Sequence, residues 1–578
     1  MEFADRFGTF DFETDPFKRG RIPKPFAACY FDGKTLRVFW GEDCPARVME
    51  VMIREKRIIY AHNGGKFDFH YILHLLLEYF DSDDIKLTCI GTRIVKIKTP
   101  CVEFRDSYSV LPRKLADLGG KKEIDINKLE STVRGIHKAE IIEYLKTDCT
   151  ALYDAVNHWV SEYGMKMTLA GTTFDVLKKR FGITPPKSSY RHDKMFRPFY
   201  FAGRVEFWGL GYLGKGYSIC DINSAFPWAM TFPHWFEPSC ECIGKPPKEN
   251  REQAFYVIKC DSKGALPVRS ANGGVEFPTG RGIEFFATGW ELFAGMELGL
   301  IKNVDYRAVY VPQKCQDFGR YVRHFYEMKR TAQNESERNH SKLLLNALSG
   351  RFAINPRAFK EVKVMPYDSV LPSPWKHSFD DEETGLSFWQ KHTHLMMRND
   401  FQVLDYERII NDHIKTLSRR KVKKYPEKEW EEIEEKPAHF VNVCTAASIT
   451  GCVRAFLLRS KEACGAVKYC DTDSLIARDV SSLEFGDGLG QWKLEKADQE
   501  FWCGGKKLYA SLGKDGKWKT ASKGVRLTPQ QIVNVAEGKP ETYEFDAPSF
   551  SVFSPKHFVK RTVRRDDQRK KRNAKIDN

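Results

Sequence analysis

The sequence predicts a multidomain chain that combines α/β and α+β architecture, and three observations carry that expectation. At 578 residues the chain exceeds what one hydrophobic core organises. Within residues 1–150, short β-prone runs alternate with helix-period segments, which is the pattern of an α/β layer. A Pro/Gly/Ser-rich stretch, GITPPKSSY at 182–190, then separates this region from the rest.

Composition narrows the classes. Hydrophobic residues make up 42% and charged residues 29%, which excludes a disordered or fibrous chain. The 92 Lys and Arg against 77 Asp and Glu leave a net charge of +15, which favours polyanionic partners. No run reaches the roughly 18–20 apolar residues that cross a bilayer; patches such as Tyr71–Leu77 have the length of a core element. The opening MEFADRFGTFDFETDPF contains acidic residues and no apolar centre, so neither a signal nor a transit peptide is expected. The 15 cysteines form no CxxC pair, Cys240 and Cys242 being closest. That disfavours a zinc or disulfide framework and fits a reducing cytoplasm.

The elements follow in order. RFGTFDFET, RIIYAHNGGKFD and CVEFRDSYSV read as strands, with a helix in HYILHLLLEYF between them. IHKAEIIEYLKTDCTALYDAVNHWVSEY repeats Ile141, Leu145, Cys149, Leu152 and Val156 at helical spacing and reads as one long helix. GLGYLGKG fits neither phosphate-loop pattern and reads as a Gly-rich turn before the strand YSICDI. Residues 315–352 read as a helical pair ending at Gly350. Residues 410–437 are charge-dense, either a solvated face or a nucleic-acid contact. KRTVRRDDQRKKRNAK, 560–575, carries nine Lys and Arg and reads as a basic tail on phosphates.

The chemistry is concentrated in carboxylates. In YCDTDS (469–474), Asp471 and Asp473 flank one residue at a hairpin tip, so the strand period points both one way. Two like charges held that closely call for a cation. Asp221 ends the strand YSICDI, and with Asp473 it makes the constellation of two-metal phosphoryl transfer. Mg²⁺ is the ion expected for oxygen ligands. Lys342 and Asn346 are four residues apart on one helical face, where Lys342 can meet a triphosphate; Arg338 adds positive field. Lys507 and Tyr509 alternate in a short strand.

In order and spacing, DINSAFP (221–227), KLLLNALSG (342–350), YCDTDS and KLY (507–509) resemble the palm motifs of family B DNA polymerases. The closest pattern is that of the protein-primed group of bacteriophages and linear plasmids, across essentially the whole chain. The resemblance implies metal ligation by Asp221, Asp473 and the Ile222 backbone, with Asp471 beside them. It implies nucleotide contacts from Ile222, Asn223, Ser224, Ala225, Phe226, Arg338, Lys342 and Asn346. It implies DNA contacts from Ser349, Gly350, Thr472, Lys507, Tyr509 and Lys523, and from a linker motif, YFAG, with Tyr200, Ala202, Gly203 and the following Arg204. Two departures stand out. Phe226 occupies the sugar-gate position usually held by Tyr, keeping the wall but losing the hydroxyl. Ser349 replaces a Tyr beside the nascent pair.

A second constellation lies near the N-terminus. Asp11 and Glu13 share one face of a strand, Asp68 follows HNGGKF, and Tyr144 and Asp148 are four apart on the long helix. DFE, NGGKFD and YLKTD resemble the three motifs of DnaQ-like 3′–5′ proofreading exonucleases. That implies metal ligation by Asp11, Glu13, Asp68 and Asp148, water orientation by Tyr144 and assistance from Lys121. Thr14, His62, Asn63, Phe67, Ser107 and Tyr108 are implied as single-strand contacts.

The expected layout is a ribonuclease-H-like exonuclease domain (1–185) joined to a right-hand polymerase. Its parts are palm (186–236 and 438–515), fingers (315–352), and thumb with tail (516–578). Two insertions, 237–314 and 353–437, would contact a terminal protein and support strand displacement. Implied partners are template-primer DNA, dNTPs, a separate priming protein and a single-stranded DNA-binding protein, with the enzyme a monomer in a host bacterial cytoplasm. Mn²⁺ is expected to substitute for Mg²⁺, two ions per site. A conventionally primed family B polymerase and a non-catalytic DNA-binding protein with relic motifs are the competing readings.

Overall fold

A computed structural model describes residues 7–118, 123–188, 190–270, 273–355, 358–391 and 440–567. Lys121, the charged stretch 410–437 and the tail beyond 567 lie outside the described residues.

The N-terminal region builds on a ten-stranded mixed sheet. Phe7–Thr14 runs parallel to Ile58–Ala61, which runs parallel to Glu103–Asp106; the neighbours on either side are antiparallel. Strand alternation sorts the faces. Phe10 and Phe12 pack towards the helices Cys44–Glu55 and Asp68–Tyr79. On the opposite face the Thr9 hydroxyl donates to the carbonyl of Cys149 on the long helix Lys138–Tyr163 (2.9 Å).

This sheet does not end where the first domain was expected to end. Phe359–Pro366, from the second insertion, pairs with Lys86–Ile90, and Leu386–Lys391 and Trp375–Asp381 continue outwards. Val362, Val364, Leu386 and Phe388 thereby join the N-terminal core. Sequence separation hid this, because nothing local in 359–391 names its pairing partner.

The palm is a seven-stranded sheet in the order Trp518–Ser522, Leu508–Leu512, Trp492–Gly505, Gly211–Ile222, Ser474–Ala477, Tyr469–Asp471, Val205–Phe207. The second palm segment therefore extends past 515. Most of GLGYLGKG (209–216) is not a turn before the strand but its first six residues, 211–216: Gly211, Gly214 and Gly216 take positive φ in the stretch where the register shifts opposite Trp492–Gly505. Helix Val443–Ala463 crosses beneath, buried at nearly every position.

The fingers are helices Gly319–Thr331 and Glu335–Ala353. Gly350 is interior to the second helix rather than its end; the helix continues to Ala353, one residue past the expected bound of 352, with Phe352 fully buried in the shared core. The first insertion is a four-stranded sheet with helix Gly289–Glu297 packed on its inner side. The thumb is helix Pro529–Ala536, closed by a Thr528–Gln531 capping box, and the hairpin Glu541–Ser549/His557–Val563. Its tip reaches the N-terminal domain, where Val552 is fully buried in the core. Among the described residues no helix is long and apolar enough to cross a membrane, and all 15 cysteines are free.

Candidate active sites

In open α/β sheets ligands gather at the carboxyl ends of parallel strands. Three such ends meet in the N-terminal domain. Phe7–Thr14 delivers Asp11 and Glu13, Ile58–Ala61 runs into His62 and Asn63, and Glu103–Asp106 runs into Ser107 and Tyr108. Asp68 opens its helix at 2% exposure, and Asp148 is 4% exposed on the long helix with Tyr144 one turn earlier and half-buried. Burial raises the Asp68 carboxyl to about 7, against hydrogen bonds from its own and the Phe12 backbone, and Asp106 adds to the rise. Asp68 Oδ1 is buried with no hydrogen-bond partner. A buried carboxylate oxygen without a donor suits a cation.

The implied single-strand contacts are gathered by a residue the sequence did not single out. Arg93 donates to Asn63 Oδ1 (2.9 Å), pairs with buried Asp106 (2.5 Å) and lies 4.6 Å over the Tyr108 ring. His62 bridges Ser107 Oγ (3.0 Å) and the Arg113 carbonyl (2.9 Å). Gly65 is required here, since a Cβ would sit 1.7 Å from the Ile94 carbonyl oxygen. Phe67 meets Phe17, Tyr71 and Phe550 edge-on, so the thumb tip forms part of its surroundings. Thr14 is buried at the end of its strand.

In the palm, Asp221 pairs across the sheet with Ser474, and the Ile222 amide donates to the Asp473 carbonyl (2.8 Å). Burial first and Asp473 second raise Asp221 to about 7; burial first and Asp471 second raise Asp473 to about 6. The two aspartates of YCDTDS are close but are not aligned by strand period, contrary to the expectation. Thr472 takes φ 63°, and Asp471 instead accepts Lys507 Nζ at 2.5 and 2.6 Å. Lys507 is likewise not a strand residue alternating with Tyr509: it sits at φ 56° in the turn before Leu508–Leu512, its amide donating to Tyr469 Oη (2.8 Å). Tyr509 is buried against Tyr469 and Phe501, and Lys523 is exposed, its amide on the Lys507 carbonyl.

Glu495 was missed. It raises both Asp221 and Asp473 and is ion-paired with Lys519. Its only signal is strand register, which no local motif encodes.

On the fingers helix, Arg338, Lys342 and Asn346 are all exposed, and Lys342 is near enough to offset the rise at Asp221. Phe226 is half-buried. Ser224 takes φ 53°, and the Asn223 side chain donates its Nδ2 to the Gly486 carbonyl (2.7 Å). Ile222 and Ala225 bury their side chains in the core, leaving only their backbones for a ligand. Ser349 is 9% exposed and Gly350 exposed.

Arg204 corrects another expectation. At 1% exposure its guanidinium pairs with Glu206 and donates to the Gly264 (2.6 Å) and Ala265 (3.4 Å) carbonyls, so it ties the palm to the first insertion instead of facing outwards. Arg454, also missed, is its counterpart. It forms a buried two-bond pair with Glu291 and donates to the carbonyls of Phe201 and Ala202. That fixes the YFAG segment. Tyr200 there is half-buried, its carbonyl accepting Arg269 Nη2, and a Cβ on Gly203 would strike Thr472 at 2.4 Å.

A palm carrying facing aspartates, basic fingers and a separate carboxylate site on an N-terminal α/β layer defines the right-hand nucleotidyl-polymerising class. Comparison with known proteins gives the family. The chain matches the model of DNA polymerase type B, organellar and viral, over residues 48–141 and 135–427, and it belongs to that family, to which its palm motifs had pointed. It is 33% identical over 97% of its length to the DNA-directed DNA polymerase of Enterobacteria phage PRD1, covering 98% of that protein. It is 24% identical over 53% of its length to a probable DNA polymerase of Agaricus bitorquis, covering 46% of that protein. Its fold matches phi29 DNA polymerase complexed with primer-template DNA and incoming nucleotide, with TM-score 0.71, 18% identity and coverage of 97% and 99% of the two chains. A phi29 DNA polymerase complexed with single-stranded DNA matches at TM-score 0.69 and 17% identity, covering 97% of this chain and 100% of that one. The protein is a DNA-directed DNA polymerase, and polymerases of this family use divalent metal ions.

Proposed function

We propose that this polymerase extends a hydroxyl supplied by a separate terminal protein, displaces the strand ahead of it, and proofreads with a second, N-terminal 3′–5′ exonuclease site. The observation that supports the synthetic site best is the facing of Asp221 and Asp473 on the palm sheet, with Lys342 presented across the cleft. Template-primer DNA and dNTPs are the substrates, and Mg²⁺ is the ion, with Mn²⁺ as substitute.

Asp221, Asp473 and the Ile222 carbonyl would hold divalent ions at the synthetic site, and Asp11, Glu13, Asp68 and Asp148 at the exonuclease site. Bound there, the ions supply Lewis-acid stabilisation of the charge that develops on the transferring phosphate. Among the described residues no three His, Cys, Asp or Glu side chains form a preformed cation cage; water and substrate oxygens would complete each ion's ligand set. Lys342 holds the triphosphate, and the Phe226 ring walls off a 2′-hydroxyl. Lys507, fixed by Asp471, and Tyr509 support the primer end. The attacking hydroxyl displaces pyrophosphate at the α-phosphate. At the second site Tyr144 orients water towards the terminal phosphodiester of a frayed strand.

Protein priming is supported by similarity over nearly full length to a phage polymerase and by both insertions. The reading is tested by two substitutions. Asp473→Ala should abolish primer extension and spare degradation of single-stranded DNA, and Asp148→Ala should do the reverse. Loss of both activities in one well-folded variant would refute the two-site assignment. Rolling-circle extension without accessory proteins tests strand displacement: products longer than one circle support it, and arrest at one circle refutes it.

A further inference from the structure

The palm strand after the YCDTDS hairpin carries a basic residue that no motif marks. Lys493 lies opposite Asp221 in antiparallel register. Residues so paired share a face, with Cβ atoms about 4.5–5.5 Å apart. Its neighbour Trp492 turns the other way, 2% exposed, into the core beneath the sheet. Lys493 is exposed on the carboxylate side.

The fingers approach this point. Tyr326 donates to the carbonyl of Asp487 (2.7 Å), in the palm loop that leads into Lys493, and the Lys329 ammonium lies 5.3 Å over the Tyr326 ring. Burial, then Lys342, Arg338 and Lys493, hold Lys329 below its ordinary range. Four cations from two bodies thus converge: Lys329, Arg338 and Lys342 from the fingers, and Lys493 from the palm. Among the described residues none of the four has a carboxylate ion pair. Asp221 stands opposite Lys493, but the cations still repel one another, and a polyanion between them relieves that repulsion.

We propose that Lys493 is the palm half of a triphosphate clamp, binding the terminal phosphates of the incoming nucleotide, and the pyrophosphate that leaves, opposite Lys342. A lysine suits this role as a compact point charge that needs no fixed donor geometry. With no nucleotide present, repulsion between Lys493 and the fingers cations favours separation of palm and fingers. The triphosphate bridges them, and departure of pyrophosphate restores the repulsion. The proposal rests on the assignment of Lys342 to the triphosphate.

The test is steady-state extension of a primed template and its reversal by inorganic pyrophosphate, with Lys493→Ala, Lys493→Arg and Lys342→Ala. One lost charge-assisted contact predicts a rise of roughly tenfold in KM for dNTP and in half-saturating pyrophosphate, with a much smaller change in kcat. Arg should recover most of the loss. Lys493→Met, which keeps the stem, carries the same test should the Ala variant lose its fold, as read by melting temperature. An unchanged KM for both ligands, or a fall in kcat alone, would overturn the clamp. If Lys342→Ala raises KM while Lys493→Ala does not, the clamp alone fails; if Lys342→Ala is also without effect, the triphosphate assignment itself fails.

Discussion

Replacing Arg454 by Met should destabilise the junction of palm and first insertion more than any surface change. The guanidinium is 1% exposed and Glu291 2% exposed, and two bonds of 2.7 and 2.8 Å join them. Without Arg454, the Glu291 carboxylate stays buried with the Thr288 hydroxyl (2.8 Å), and the Phe201 and Ala202 carbonyls lose their donor. Removing one partner of a buried pair costs about 3–5 kcal/mol, because the remaining charge is uncompensated. For a cooperative unit of about 200 residues that corresponds to a fall of roughly 6–20 °C in Tm. Replacing both partners with apolar residues leaves no buried charge, so Arg454→Met with Glu291→Leu should melt above Arg454→Met alone. Scanning calorimetry of Arg454→Met, Glu291→Leu and the double variant decides it. A double variant whose loss equals the sum of the two single losses would refute the coupling.

Gly65→Ala should lower single-strand degradation at least tenfold while leaving primer extension near wild type, because its Cβ meets the Ile94 carbonyl at 1.7 Å and displaces the segment before Asp68; degradation assays on an oligonucleotide check this. Half-saturating Mg²⁺ for extension should fall between pH 6 and 8, since carboxyls raised to about 7 and 6 at Asp221 and Asp473 retain protons that compete with the cation; a metal requirement flat across that range would contradict it. Burial lowers His70 to about 3 and His192, His234 and His340 to about 4. Their protons are bound more readily by the unfolded chain, so stability should be intact above pH 6.5 and decline from there towards pH 3–4. Melting temperatures measured across pH 4–7 test the sign.

The candidate carboxylates stood out in the sequence because their spacing is local. Asp11 with Glu13 follow from strand period and Asp148 with Tyr144 from helical period, whereas Thr472 at φ 63° takes Asp471 and Asp473 off the strand period that was expected to align them. The long helix was read to within two residues of its observed start at Lys138. What escaped is whatever depends on register between distant segments. Glu495 and Lys493 approach Asp221 only through sheet pairing, and Arg93 reaches Asn63 only through a neighbouring hairpin. Arg204 was misassigned for a related reason: a motif-adjacent arginine reads as a phosphate contact unless one knows that Gly264 and Ala265 offer it carbonyls 60 residues away. The turn at Lys507 was lost because a positive φ at lysine leaves no mark in composition.

The burial of Val552 in the N-terminal core, with the Arg19 guanidinium on the Val559 carbonyl and Val362 paired with Leu87 across the sheet, bears on how the chain is made. The first domain to leave the ribosome cannot complete its interior until residues near 360, and then near 550, have been synthesised. Contacts that span more than 500 residues are slow to form, and until they form they leave apolar surface open to aggregation. Shortening the chain before Phe550 should therefore damage the domain at the opposite end of the sequence, where the deletion removes no residue of its own.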